Sequence, residues 1–141
     1  MNPQQNAPGP IRLLLVEDHA QVAMALAAAF ETVDDIDLVA RASTIEEAVS
    51  ATGEHLPDLV LLDRRLPDGD GIDAIGRLRE QHPATRVLVF TGEADRVIAD
   101  RVRAAGGDGL VLKAGLLNGL LGAARRVAAG EQTFDVELSE R

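Results

Sequence analysis

The chain contains no cysteine, no tyrosine and no tryptophan, and only one of its 14 basic residues is lysine. Without cysteine it can form neither a disulfide, a thiolate metal site nor a thiol nucleophile. Three phenylalanines are the whole aromatic content, so an apolar core must be built from Leu, Val, Ile and Ala. Positive charge is also scarce. The formal net charge of −9 argues against direct nucleic-acid binding by this chain, because phosphate contacts need clustered Lys and Arg. Long apolar runs are missing too: Ile11 to Val16, interrupted by Arg12, is far too short to span a bilayer. The opening Met1-Asn2-Pro3-Gln4-Gln5-Asn6 lacks the charged and apolar regions of a signal peptide. The expectation is a cytoplasmic protein with no membrane partner.

What is present is ordinary for a globular domain: 141 residues, 46% hydrophobic and 26% charged. Residues 1–10 are polar and Pro-rich and are expected to be a disordered lead-in. Residues 11–130 hold the domain, and residues 131–141 form a tail or the start of a linker. Within the domain, strand-like runs alternate with helix-like stretches five times. The predicted strands are Ile11–Val16, Ile36–Ala40, Asp58–Leu62, Arg86–Phe90 and Gly109–Leu112. Leu59-Val60-Leu61-Leu62 and Val87-Leu88-Val89-Phe90 are apolar on both faces, as parallel strands covered by helices on each side must be. Helical spacing runs through Ala20–Thr32, Glu93–Ala105 and Leu116–Ala129, and Thr44 with Glu47 forms a capping box ahead of another helix. Five such units predict an α/β fold, a doubly wound five-stranded parallel sheet with helices on both faces. Ligand sites in such sheets lie beyond the carboxyl ends of the strands.

At those ends stand Glu17 and Asp18 after the first strand, Asp63 after the third, Thr91 after the fourth and Lys113 after the fifth. Three converging carboxylates repel unless a cation neutralises them. An all-oxygen cluster suits a hard divalent ion such as Mg²⁺. With that charge balanced, Asp63 can accept a phosphoryl group, Lys113 can meet its equatorial oxygens and Thr91 can donate a hydrogen bond to one. Gly92 leaves room for the group. Lys113 is the one basic residue that is not Arg, which fits a need for a compact point charge.

Blander readings exist for each residue alone. An acidic pair after a strand is most often a solvated turn, a lone lysine is usually solvated, and Thr91 before Glu93 could be a helix cap. Their coincidence at four strand ends favours the functional reading. Asp68-Gly69-Asp70-Gly71 is not a calcium loop, because Ile72 and Arg79 stand where oxygen ligands are required. Gly106-Gly107-Asp108-Gly109 leads into a strand, whereas the dinucleotide fingerprint opens a helix. His19 is read as a bystander beside the acidic pair, and His55 and His82 as surface residues near helix ends.

Val16-Glu17-Asp18-His19, Asp58 through Asp63, Leu66-Pro67-Asp68-Gly69-Asp70-Gly71, Val89-Phe90-Thr91-Gly92 and Leu110-Val111-Leu112-Lys113 closely resemble the response-regulator receiver family. The resemblance covers Ile11 to about Gly130. It implies the CheY-like, flavodoxin-like strand order 2-1-3-4-5. It also implies that Asp63 takes phosphate from the phosphohistidine of a sensor histidine kinase, or from acetyl phosphate. Asp18, Asp63 and the backbone carbonyl of Arg65 would hold Mg²⁺ with help from Glu17, while Thr91 and Lys113 bind the phosphoryl oxygens. The implied protein is a phosphoacceptor and not an enzyme with turnover. It would control transcription by switching its helix-four, strand-five and helix-five surface, where homodimerisation or partner docking is expected. Gly130 to Asp135 looks most like the subfamily carrying a C-terminal LuxR/NarL-type helix-turn-helix, so the receiver is expected to be cut from a longer regulator. A stand-alone module acting through partners is the alternative.

Three departures matter. Arg64 replaces a usual apolar residue, Leu110 replaces a usual Tyr or Phe, and Ala114 replaces a frequent Pro. Readout through an aromatic flip is therefore not expected. A metal-dependent phosphatase of similar topology would need an acid two residues beyond its Asp nucleophile. That position is Arg65.

Overall fold

The computed structural model describes residues 9–113 and 117–134. Most of the lead-in, Ala114, Leu116 and the tail from Asp135 onward therefore lie outside the described residues. The main elements are β1 (Ile11–Val16), α1 (Ala20–Glu31), β2 (Ile36–Ala42), α2 (Ile45–His55) and β3 (Leu59–Asp63). A short hairpin, β4 (Arg65–Leu66) and β5 (Gly69–Asp70), then leads into α3 (Gly71–Gln81). The chain continues through β6 (Arg86–Thr91), α4 (Arg96–Ala105), β7 (Gly109–Leu112), α5 (Leu117–Ala128) and β8 (Thr133–Phe134).

All strands of the main sheet are parallel, in the order β2-β1-β3-β6-β7-β8. The five expected strands and their order are present. A sixth, β8, adds to the outer edge of β7 and pairs Leu110 with Phe134. Two residues are too few to register as a periodicity, which is why the sequence does not announce it.

The alternation of side chains along each strand divides the core in two. Leu14, Val16, Val60, Leu62, Val87 and Val89 face one way and pack with Ile72, Ile75 and Leu78 of α3 and Ile98 and Val102 of α4. Leu13, Leu15, Leu59, Leu61, Leu88 and Phe90 face the other way and meet Leu26 and Phe30 of α1 and Leu121 and Val127 of α5. Every residue of β3 is buried, as a central parallel strand requires. Each fully buried Leu or Val contributes roughly 1.5–3 kcal/mol relative to exposure, which offsets the entropy of ordering the chain.

Local chemistry sets the helix starts. The Thr44 hydroxyl accepts from the Glu47 N–H at 3.0 Å, but Glu47 returns its carboxylate to Ser43 N–H and Oγ rather than to Thr44. The remaining free donors of α2 are taken by Asp68, which accepts from Ile45 N–H at 2.8 Å and Glu46 N–H at 3.1 Å. Helix α4 starts three residues later than expected because Asp95 caps it, accepting from Ile98 N–H at 2.9 Å. Strand β3 starts at Leu59, since Asp58 turns its carboxylate to the Arg12 N–H at 2.9 Å.

Candidate functional site

Strand registry brings the carboxyl ends level. Val16 pairs with Leu62, Asp63 with Phe90, and Thr91 with Leu112. The next residue of β1 is tied in by Glu17 N–H to Ala42 carbonyl at 2.9 Å, and that of β7 by Lys113 N–H to Thr91 carbonyl at 2.7 Å. Glu17, Asp63, Thr91 and Lys113 thus share one rim. It lies where strand order reverses between β1 and β3, the switch point of an open parallel sheet.

Lys113 Nζ lies 3.1 Å from Asp63 Oδ1 and 3.2 Å from Glu17 Oε1. The ammonium also sits 4.8 Å above the centre of the Phe90 ring, a cation–π contact that steadies it over the rim. Glu17, Asp63 and Thr91 are each at least 97% buried, whereas Asp18 is only partly so. One ligand atom from each of Glu17, Asp18, His19 and Asp63 falls within 4.8 Å of the others. His19 had looked like a bystander in the sequence, yet its Nδ1 reaches Glu17 Oε2 at 2.9 Å and Asp18 Oδ1 at 3.3 Å. The signal that could have found it is position alone, one residue beyond an acidic pair at a strand end. Arg65 turns its side chain outward and meets the cluster through its backbone, with its N–H 3.4 Å from Asp63 Oδ1.

The charges divide unequally. Burial and the neighbouring Glu17 carboxylate push Asp63 up to about 6, against the pull of Lys113. Burial also presses Glu17 upward, but the His19 backbone and ring together with Lys113 outweigh it and hold Glu17 below the usual range. Burial opposes the charge on Lys113, yet Asp63 and Glu17 win and raise it. The charge therefore rests on Glu17 first, because it collects more donors than Asp63 does.

Glu17 Oε1, Asp18 Oδ1 and Asp63 Oδ2 are buried and lack a hydrogen-bond partner. The Lys113 and His19 nitrogens near the first two make charge contacts without hydrogen-bond alignment. Three clustered carboxylates, each with an unsatisfied oxygen, fit a hard divalent cation.

Neighbouring features shape the loop after Asp63. A Cβ at Gly71 would collide with the Asp63 carbonyl, so only glycine lets α3 begin against the end of β3. Arg64, in place of the usual apolar residue, is largely buried and donates to Asp70 Oδ2 at 3.3 Å, which Arg101 of α4 also reaches at 3.4 Å. At Gly92 a Cβ would meet open space, in keeping with room beside Thr91. The Thr91 hydroxyl accepts from Glu93 N–H at 3.4 Å but does not cap the helix, which begins later at Arg96 with Asp95 as its cap. Leu110, at the position usual for Tyr or Phe, is fully buried.

Residues 13–125 match the response regulator receiver domain family. This chain belongs to that family. Among curated relatives, the response regulator protein VraR of Staphylococcus aureus is 30% identical over 128 residues, 91% of this chain and 61% of the relative. The receiver thus spans about three fifths of the length of the curated relatives it matches. A LuxR-family two-component response regulator from Aurantimonas superposes with a TM-score of 0.86 at 29% identity, covering 94% of each chain. The signal receiver domain of the putative response regulator NarL from Mycobacterium tuberculosis gives 0.82 at 26% identity, covering 88% of this chain and all of that one. The receiver has LuxR-family neighbours and the CheY-like fold expected of it. Among its described residues, no helix is long and apolar enough to cross a membrane.

Proposed function

We propose that Asp63 is the phosphoacceptor of this receiver and that a sensor histidine kinase supplies the phosphoryl group. A bond forms from an Asp63 carboxylate oxygen to phosphorus as the P–N bond of the donor's phosphohistidine breaks, and acetyl phosphate can serve as a small donor. Lys113 Nζ, 3.1 Å from Asp63 Oδ1 and flanked by the buried Glu17, is the observation that carries this reading. It supplies a fixed positive charge beside the reacting carboxylate. The Thr91 hydroxyl accepts from Glu93 N–H at 3.4 Å, which leaves its own proton to donate to a phosphoryl oxygen.

Glu17, Asp18, Asp63 and the carbonyl of Arg65 would hold Mg²⁺. Such an ion neutralises the carboxylates and the charge that develops on the phosphoryl oxygens. Arg65 stands two residues past Asp63 where a hydrolytic enzyme would need a carboxylic acid, which favours stoichiometric self-phosphorylation over turnover. The added charge at the rim shifts Thr91 and Lys113, and through them α4, β7 and α5. The expected output is transcriptional, through a helix-turn-helix beyond residues 11–130, with dimerisation on the switched surface and a cytoplasmic location.

Intact-mass spectrometry after incubation with acetyl phosphate and Mg²⁺ tests this. One phosphoryl adduct is expected on the native chain and none on Asp63→Asn. An unmodified native chain, or an adduct that survives the substitution, would overturn the assignment.

A further inference from the structure

His19 is the fourth member of a cluster for which only oxygen donors were expected. Its backbone is pinned at the rim: the His19 N–H donates to Glu17 Oε2 at 3.0 Å, and its carbonyl accepts from Ala23 N–H at 2.9 Å as α1 begins. Ser, Thr, Asp or Asn in that N-cap position turns its side chain to the free N–H groups of the helix. The imidazole of His19 makes no such bond. It is turned the other way, with Nδ1 2.9 Å from Glu17 and 3.3 Å from Asp18, and with one ring nitrogen within 4.8 Å of a ligand oxygen of Asp63. Two of those carboxylates are more than nine-tenths buried and carry an oxygen with no hydrogen-bond partner, Glu17 Oε1 and Asp63 Oδ2. The ring itself is 66% exposed and can adjust to an arriving ion without disturbing the core.

We propose that His19 Nδ1 is a nitrogen ligand in the metal site and gives this receiver a selectivity for first-row transition ions over Mg²⁺. The inference rests on the reading that Glu17, Asp18 and Asp63 hold a divalent cation. Mg²⁺ takes oxygen ligands and keeps much of its water, so an imidazole adds little to its binding. Later first-row ions such as Co²⁺ and Zn²⁺ accept imidazole readily, and affinity for mixed nitrogen and oxygen sites rises from Mn²⁺ through Co²⁺. One nitrogen among three carboxylates therefore tilts the site toward them while leaving it competent for Mg²⁺. The ring would give up its hydrogen bond with Glu17 and bind as the neutral tautomer, its proton on the exposed Nε2 and its Nδ1 lone pair on the ion, while Glu17 would keep the His19 backbone N–H.

Isothermal titration of the native chain, His19→Ala and Asp63→Asn with Mg²⁺, Mn²⁺ and Co²⁺ in turn tests this, with the visible absorption of bound Co²⁺ as a second readout. Truncating His19 should weaken Co²⁺ about tenfold or more and Mg²⁺ less than about twofold, the size of loss typical for a ligand-shell residue. The Co²⁺ spectrum should shift to that of an all-oxygen site. An unchanged ratio of Co²⁺ to Mg²⁺ affinity in His19→Ala, with both still dependent on Asp63, overturns the nitrogen ligand and leaves the carboxylate site standing. Binding of every ion unaffected by Asp63→Asn overturns both.

Discussion

Asp63 is buried beside a second carboxylate, and the two compete for one ammonium. Its proton is held up to about 6 in the folded chain, against 3.8 for an ordinary Asp. A carboxyl that binds its proton more tightly when folded favours the native state below its unfolded value, and that contribution is lost as pH rises through the folded one. The metal-free protein should therefore lose stability between about pH 4 and pH 6 on account of this side chain. Asp63→Asn removes the loss. Its melting temperature should exceed that of the native chain at pH 7.5, with the gap closing as pH falls to 4, as scanning calorimetry in chelator would show. Adding Mg²⁺ should close the gap from the other side at pH 7.5 and do little at pH 5, where Asp63 is largely protonated. An equal gap at both pH values would mean that Asp63 bears no such strain.

The elements were legible in the sequence where periodicity was strong and blurred where a single side chain decides the boundary. Leu59 to Leu62 could only be a buried parallel strand, and Leu14 with Val16 and Val60 with Leu62 had to share a core. Nothing local, however, told that Asp68 would reach across to α2, since its partners are more than twenty residues away. The same long reach hid Asp58 as a tie to β1 and Arg101 as a partner of Asp70. Asp68 and Thr44 cap neighbouring N–H groups in one turn of α2, so a double-mutant cycle should show their losses to be coupled. Each Ala substitution should cost about 0.5–2 kcal/mol in urea unfolding. Asp68→Ala should cost that stability without altering Mg²⁺ affinity, because its carboxylate faces α2 and not the cluster. A drop in Mg²⁺ affinity to match would show that this loop supports the rim as well as the helix.

For the molecule as a whole, the site was legible because five chain-distant residues belong to strand ends that a doubly wound topology must bring level. His19 was not, because a histidine after an acidic pair has no pattern of its own. Three arginines of the expected docking surface, Arg101, Arg103 and Arg125, are engaged within the chain. Arg101 reaches Asp70 and Asp73, Arg103 pairs with Asp100 and lies 4.0 Å over the Phe134 ring, and Arg125 binds Asp35 at 2.7 Å. That surface is thus crossed by intramolecular ties and closed at its edge by β8. Removing Phe134 should loosen the closure. Phe134→Ala is expected to speed amide exchange in β7 about tenfold or more, with β1 and β3 unchanged, as hydrogen exchange read by NMR would resolve; tenfold corresponds to about 1.4 kcal/mol of local opening. Uniform exchange across the sheet would mean that β8 adds nothing to the edge.

Strand β8 runs in the same sense as β7. At Phe134 the polypeptide is therefore travelling toward the end of the sheet that bears Asp63, not toward the amino-terminal floor. Phe134 lies level with Leu110, three residues before Lys113 on the neighbouring strand, so a displacement of Lys113 along β7 has a single strand pairing to cross before it reaches β8.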